Sequence, residues 1–322
     1  MPGVLRLLLT VLIAVGAVVL MFPLIIKRLR QLHVGQNIRP DGPQSHLEKA
    51  GTPTMGGIMI IAAVVLTVLI VGTVNRELLL AVLVTVALGV VGFIDDYTKV
   101  IKKRSLGLRA GQKIILQLVV AFILAWLVMN TDQLGTSIYM PFTAAVWDLG
   151  WGYVPFVMLV VVGSSNAVNL TDGLDGLAAS VTVIAAAGLA WLCWQQQQDQ
   201  LVLFSLAVAG AALGFLIFNH YPARIFMGDT GSLALGGALA AVAVLTRTEL
   251  FLLFIGLVYV LEAVSVMIQV SVFKAVHKRV FLMSPLHHHF ELLGYHEARV
   301  VSLFAAIAVV GTLLGIAGWM CR

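Results

Sequence analysis

Five short segments of this chain gather residues suited to phosphate and metal chemistry. Asp95-Asp96 closes a long apolar run. Two adjacent carboxylates at the C-terminal end of a helix face its negative pole and each other, so they require a positive partner. Lys99, three and four residues on, offers an ion pair. A Mg²⁺ ion is the alternative, since it binds through one or two carboxylates and completes its shell with phosphate oxygens and water. In Asn169-Leu170-Thr171-Asp172-Gly173-Leu174-Asp175-Gly176, the spacing of three puts Asn169, Asp172 and Asp175 along one side if the segment is helical. The competing reading makes one of these Asp residues a helix cap, but a cap needs only one carboxylate.

Phe226-Met227-Gly228-Asp229-Thr230-Gly231-Ser232 precedes another apolar run. A helix start there offers unpaired N–H groups to a phosphate, or takes Asp229 as its own cap. In Pro285-Leu286-His287-His288-His289-Phe290, consecutive histidines fan about 100° apart on a helix and so form no ready three-His zinc site. Imidazoles beside phosphates suit the segment better. Lys49-Ala50-Gly51-Thr52-Pro53-Thr54-Met55-Gly56-Gly57 combines a lysine, hydroxyls and glycines at a helix start, a fit for an anion. Glu262 and Gln269, seven apart, share a helix face that must look into a bundle or cavity.

The elements that position these segments are membrane spans. The chain is 60% hydrophobic and 11% charged, against about 25% charged residues in an ordinary soluble domain. Apolar stretches long enough for a hydrocarbon core of about 30 Å recur along its length. They predict an all-α polytopic bundle of about ten spans, near 4–26, 54–73, 77–95, 113–129, 154–170, 174–192, 201–218, 232–247, 250–273 and 299–320, within a single integral membrane domain over 1–322. Met21-Phe22-Pro23-Leu24 offers no small-residue cleavage site, so the first stretch is expected to remain as a span. Pairs such as Gly89 with Gly92 and Gly236-Gly237 are expected to let helices approach closely.

Of 20 Lys and Arg, 16 fall in alternate connectors: Lys27, Arg28, Arg30, Arg39, Lys49, Lys99, Lys102, Lys103, Arg104, Arg109, Lys113, Arg224, Lys274, Lys278, Arg279 and Arg299. The other side holds Arg6, Arg76, Arg247 and Arg322. This bias puts the first group in the cytoplasm and both termini outside. The net charge of +5 then reports orientation rather than binding to nucleic acid. All eight histidines and the Asp residues above share the cytoplasmic side, so loops 27–53, 96–113, 169–176, 219–231 and 274–299 are expected to form the site. Cys193 and Cys321 match no metal-ligand spacing.

These motifs resemble those of the phospho-N-acetylmuramoyl-pentapeptide transferase family, within the polyprenyl-phosphate sugar-1-phosphate transferases. The resemblance runs from about Lys49 to Glu297. It implies UDP-MurNAc-pentapeptide and undecaprenyl phosphate as substrates, lipid I and UMP as products, Mg²⁺ as cofactor, a homodimer and a bacterial inner-membrane location. It also implies Asp229 as metal ligand, Asp95 and Asp96 as catalytic acids, and an essential His288 neighbourhood. Lys49, Thr54, Asn169, Asp172, Asn219, Phe226, Gln269 and His289, with Lys113, Asp175 and His287, match positions that resemble the family's substrate pocket, where Phe226 is suited to stacking on uracil.

Direct attack by the lipid phosphate and an aspartyl-phosphate intermediate both fit. The first is favoured because a phosphate monoester, with a second pKa near 6, hardly needs a base at neutral pH. The rivals are a transferase using UDP-GlcNAc and, with Glu262 as its only deep acid, an ion-coupled transporter.

Overall fold

The computed structural model describes residues 2–31, 49, 51–101, 107–131 and 135–322. Arg39, Lys102, Lys103 and Arg104, with His33 and His46, lie outside them. The described chain is helical: α1 (Val4–Gln31), α2 (Gly57–Val71), α3 (Arg76–Ile101), α4 (Ala110–Met129), α5 (Tyr153–Thr171), α6 (Leu177–Gln195), α7 (Asp199–Asn219), α8 (Gly228–Thr246), α9 (Leu252–Ile255), α10 (Leu257–Val276), α11 (Leu286–Leu292) and α12 (Glu297–Met320). Among the described residues nine helices are long and apolar enough to cross a membrane, and α2 is a shorter apolar helix of 15 residues. Together they match the ten expected spans.

Three details differ from the sequence reading. α1 continues past 26 to Gln31 with Pro23 inside it, and its last turns carry Lys27 and Arg28, whose long stems can reach an interface from an apolar helix. The ninth span is broken: a 3-10 turn, Glu249–Phe251, and α9 precede Gly256, after which α10 resumes. The connector 130–153 holds a small antiparallel pair, β1 (Ser137–Tyr139) and β2 (Val146–Asp148), with Ile138 opposite Trp147.

α8 is the axis of the bundle. Every residue from Thr230 to Thr246 is buried, and most are Ala, Gly, Leu or Val. Such a helix can be enclosed only if its neighbours come close, and small residues permit this. A Cβ at Gly236 would lie 2.6 Å from the Ser164 carbonyl of α5, and one at Gly237 would lie 2.3 Å from Leu88 of α3. At its first turn the approach is tightest. A Cβ at Gly92 of α3 would stand 2.1 Å from the Asp229 carbonyl oxygen, and one at Gly57 of α2 would stand 2.1 Å from the Gly231 nitrogen. The glycines thus bring the ends of α2, α3 and α8 together backbone to backbone, which delivers Asp95 and Asp96 to Asp229.

Candidate active site

The Lys49–Gly57 and Phe226–Ser232 motifs, far apart in sequence, zip together through their backbones. Phe226 N–H donates to the Pro53 carbonyl at 2.8 Å, and Gly56 and Gly57 donate to Phe226 and Met227, each at 2.9 Å. Thr54 is buried here, with its hydroxyl beside Gly228. Asn219 fixes the same corner from α7, accepting from Gly176 N–H at 3.0 Å and donating to the Ile225 carbonyl at 2.9 Å. Phe226, the next residue, is half-buried.

Asp95, Asp96 and Asp229 each offer an oxygen, and the three lie within 4.8 Å of one another. Lys99 Nζ is 2.7 Å from Asp95, 3.1 Å from Asp229 and 3.5 Å from Asp96. Lys113 reaches Asp229 at 2.8 Å and the Asn169 side chain at 3.3 Å. Asn169 donates to Asp229 at 3.0 Å and to Ser232 at 2.8 Å. The loop entering α4 closes over Asp95, whose Oδ1 accepts from Leu108 N–H at 2.8 Å. Three carboxylate oxygens so close form the hard donor set that Mg²⁺ prefers, and the Lys99 ammonium among them shows that the cluster attracts a cation. The residues therefore fit the metal.

Asp229 does not cap its own helix. It lies inside the first turn of α8, and the helix's exposed donors are taken by Asp96 from α3: Thr230 N–H at 2.9 Å, Thr230 Oγ1 at 2.7 Å and Asp229 N–H at 3.2 Å. A carboxylate at a helix N-terminus is favourable, so Asp96 holds the place the sequence offered to a phosphate. This leaves Asp229 free to face the lysines.

Asn169, Asp172 and Asp175 do not share one side, because the segment is not helical throughout. α5 ends at Thr171, and the chain turns through Gly176 at φ +81 before α6 begins. Asn169 faces Asp229, whereas Asp175 faces Lys49 at 2.7 Å. Neither Asp172 nor Asp175 caps α6, whose N-cap is Gly176. Burial, and then the nearby carboxylates of Asp229, Asp96 and Asp175, push the Asp172 carboxyl well above the ordinary carboxylate range. Lys49 is partly buried, which works to lower its pKa, but its hydrogen bonds to Asp175 and Glu297 leave it raised.

The histidines fan as helix geometry requires. His287 is fully buried on α11: Nδ1 lies 3.1 Å from Glu262 Oε1, and Nε2 lies against Gly173, where a Cβ would stand 2.2 Å away. Glu262 also accepts from Leu286 N–H at 2.7 Å, so the deep acid anchors the histidine helix to α10. His288 Nδ1 lies 2.7 Å from Glu291. His289 turns away and accepts from Leu282 N–H at 3.2 Å. Gln269 accepts from Val280 and Phe281 N–H at 3.1 and 3.0 Å, which straps that loop to α10. The contacts of Gln269 and His289 are thus with the 280–282 loop, not with the acidic cluster. Thr230 and Glu297 are the residues sequence reasoning missed. Thr230 sits inside the Phe226–Ser232 motif and was within reach, but Glu297 belongs to no motif.

A family model described as glycosyl transferase family 4 matches residues 78–247. Signature 1 of phospho-N-acetylmuramoyl-pentapeptide-transferase matches residues 49–61. A Bacillus pumilus protein named phospho-N-acetylmuramoyl-pentapeptide-transferase is 51% identical over 302 residues, 92% of this chain and 93% of its own. Proteins of the same name from Bacillus subtilis and Oceanobacillus iheyensis are 49% and 48% identical, covering 92% and 96% of this chain and 93% and 97% of theirs. With half its residues identical across more than nine-tenths of its length, the chain belongs to the phospho-N-acetylmuramoyl-pentapeptide transferase family.

Proposed function

We propose that the protein transfers phospho-MurNAc-pentapeptide from UDP-MurNAc-pentapeptide to undecaprenyl phosphate, releasing UMP and forming lipid I. The observation that carries this reading is the convergence of Asp95, Asp96 and Asp229 with Lys99 and Lys113 at one helix crossing. A diphosphate needs positive charge held in place while a phosphoryl group changes partners. Asp229, with Asp95 and Asp96 beside it, would hold Mg²⁺, which supplies charge neutralisation for the diphosphate and for the departing UMP. The positive-inside bias supports a cytoplasmic site in a bacterial inner membrane. A homodimer is expected from the family.

An oxygen of the lipid phosphate attacks the phosphorus that carries the sugar, and the bond from that phosphorus to the UMP oxygen breaks. The acceptor is already largely dianionic, so no proton needs removing. Two observations support direct attack over an aspartyl intermediate. Asp96 is engaged by three donors of α8, and Asp95 by Leu108 N–H and Lys99. Both carboxylates are therefore better suited to positioning than to nucleophilic attack. Lys113 and Lys99 would orient the diphosphate, with Asp172 beside the same acidic cluster. Phe226 and Lys49 would receive the nucleotide end.

The test is UMP release from UDP-MurNAc-pentapeptide in detergent, with and without Mg²⁺ and undecaprenyl phosphate. Release should require both. Equal turnover of UDP-GlcNAc, or release without the lipid acceptor, would overturn the reading.

A further inference from the structure

Glu297 opens α12 and is 8% exposed. Lys49 Nζ donates to Glu297 Oε1 at 2.7 Å and Oε2 at 2.8 Å, and to Asp175 Oδ1 at 2.7 Å. Glu297 Oε1 accepts from the Asp175 N–H as well. The other Asp175 oxygen accepts from Ala223 N–H at 2.9 Å. One carboxylate at the head of α12 thus ties Lys49 to the 172–176 turn and, through Asp175, to the loop that carries Phe226. His296, the residue before it, packs edge-on against Tyr221 at 5.1 Å, and Tyr221 lies 5.9 Å from the Lys49 ammonium.

A lysine head on a flexible four-carbon stem is not aimed by a single carboxylate, because the ammonium can swing around it. A second carboxylate removes that freedom. Asp175 and Glu297 would in turn repel each other without the ammonium between them. The three groups therefore hold one arrangement only together, and Glu297 is the member fixed to a long helix.

We propose that Glu297 is a positioning residue for the nucleotide-sugar donor, acting through Lys49 and the Asp175 turn. This rests on the proposed function for the assignment of Lys49 to the donor. Glu297→Gln keeps the side-chain size but removes the charge and turns an amide N–H₂ toward the ammonium.

The test compares E297Q, E297D, K49M and the double variant E297Q/K49M in detergent. Losing a hydrogen bond to a charged group predicts a rise in donor KM of at least about tenfold in E297Q. The kcat should fall less than threefold, the KM for undecaprenyl phosphate should hold, and E297D should recover part of the loss. If Glu297 acts through Lys49, E297Q adds nothing in the K49M background. A second reading needs no turnover: acylation of Lys49 by acetic anhydride, followed by mass spectrometry, should be faster in E297Q than in the wild type. Penalties that multiply in the double variant, or unchanged labelling of Lys49, overturn the proposal. So does a wild-type donor KM in E297Q. If K49M also keeps that KM while labelling still rises, the error lies in assigning Lys49 to the donor.

Discussion

Lys99 Nζ sits 2.7 Å from Asp95 and 3.1 Å from Asp229, so one ammonium closes the last turns of α3 onto the first turn of α8. Lys113 reaches the same Asp229 oxygen from α4 at 2.8 Å. Three carboxylates are balanced by two ammonium groups, and the cluster keeps one net negative charge, into which a divalent cation fits. Breaking a buried charge network by removing one partner is costly. Lys99→Met should therefore lower thermal stability without metal. Added Mg²⁺ should restore more of the melting temperature in the variant than it adds to the wild type. A thermal-shift titration in detergent reads both, and a wild-type-sized Mg²⁺ shift would mean that ammonium and metal occupy separate places.

Phe226 is half-buried, and its backbone is clamped between Pro53 and Gly56. Its ring can be removed without loosening that clamp. Stacking an aromatic on a base is worth about 1–3 kcal/mol, so Phe226→Ala should raise the donor KM by roughly 5- to 150-fold. The melting temperature should change little. A large stability loss with unchanged KM would return the ring to a packing role.

Hydropathy found the spans because the bilayer imposes their length, and positions as different as α3, α7 and α12 obeyed it. It could not find the break at Gly256 or the strands 137–139 and 146–148, since both lie in stretches whose composition suits either outcome. Local spacing also failed for Asn169 and Asp175. The chain leaves the helix at Asp172, and the turn at Gly176 sends the two side chains to different partners. The cap of α8 was legible as a need but not as a residue, because Asp96 supplies it from another helix. Glu297 was invisible for the same reason: its partners, Lys49 and Asp175, are distant in sequence.

Glu249 lies at the far end of the bundle, outside the long helices. Its carboxylate is buried, accepts from Tyr153 at 2.8 Å, and leaves its other oxygen without a partner. Burial pushes its pKa up to about 8. The folded state then holds a proton that the unfolded chain releases nearer pH 4.5, so stability falls as pH rises through that window. Glu249→Gln should be more stable than the wild type at pH 8.5 and should lack the wild type's decline between pH 5 and 8. Melting curves of the two proteins across that range check this, and parallel curves would place the titration elsewhere.

Asp229→Asn separates charge from shape at the centre of the site. The amide oxygen can still accept from Lys113, its N–H₂ then takes the position that accepted from Asn169, and Lys99 keeps its bond to Asp95. Asp96, not Asp229, caps α8, so the substitution leaves that cap intact. The helix loses the benefit of a negative charge in its first turn, about 0.3–1 kcal/mol, and Lys99 and Lys113 lose one carboxylate partner. Asp95 and Asp96 still offset the charges of Lys99 and Lys113, so the melting temperature without metal should fall less than in Lys99→Met, which leaves three carboxylates facing one lysine. A neutral amide is a far poorer Mg²⁺ ligand than a carboxylate. Transferase activity should fall at least about a hundredfold, as for the loss of a main electrostatic contact, and the stabilisation by Mg²⁺ should shrink with it. Near-normal turnover with an unchanged Mg²⁺ requirement would move the metal to Asp95 or Asp96 and leave Asp229 as the anchor for Lys113.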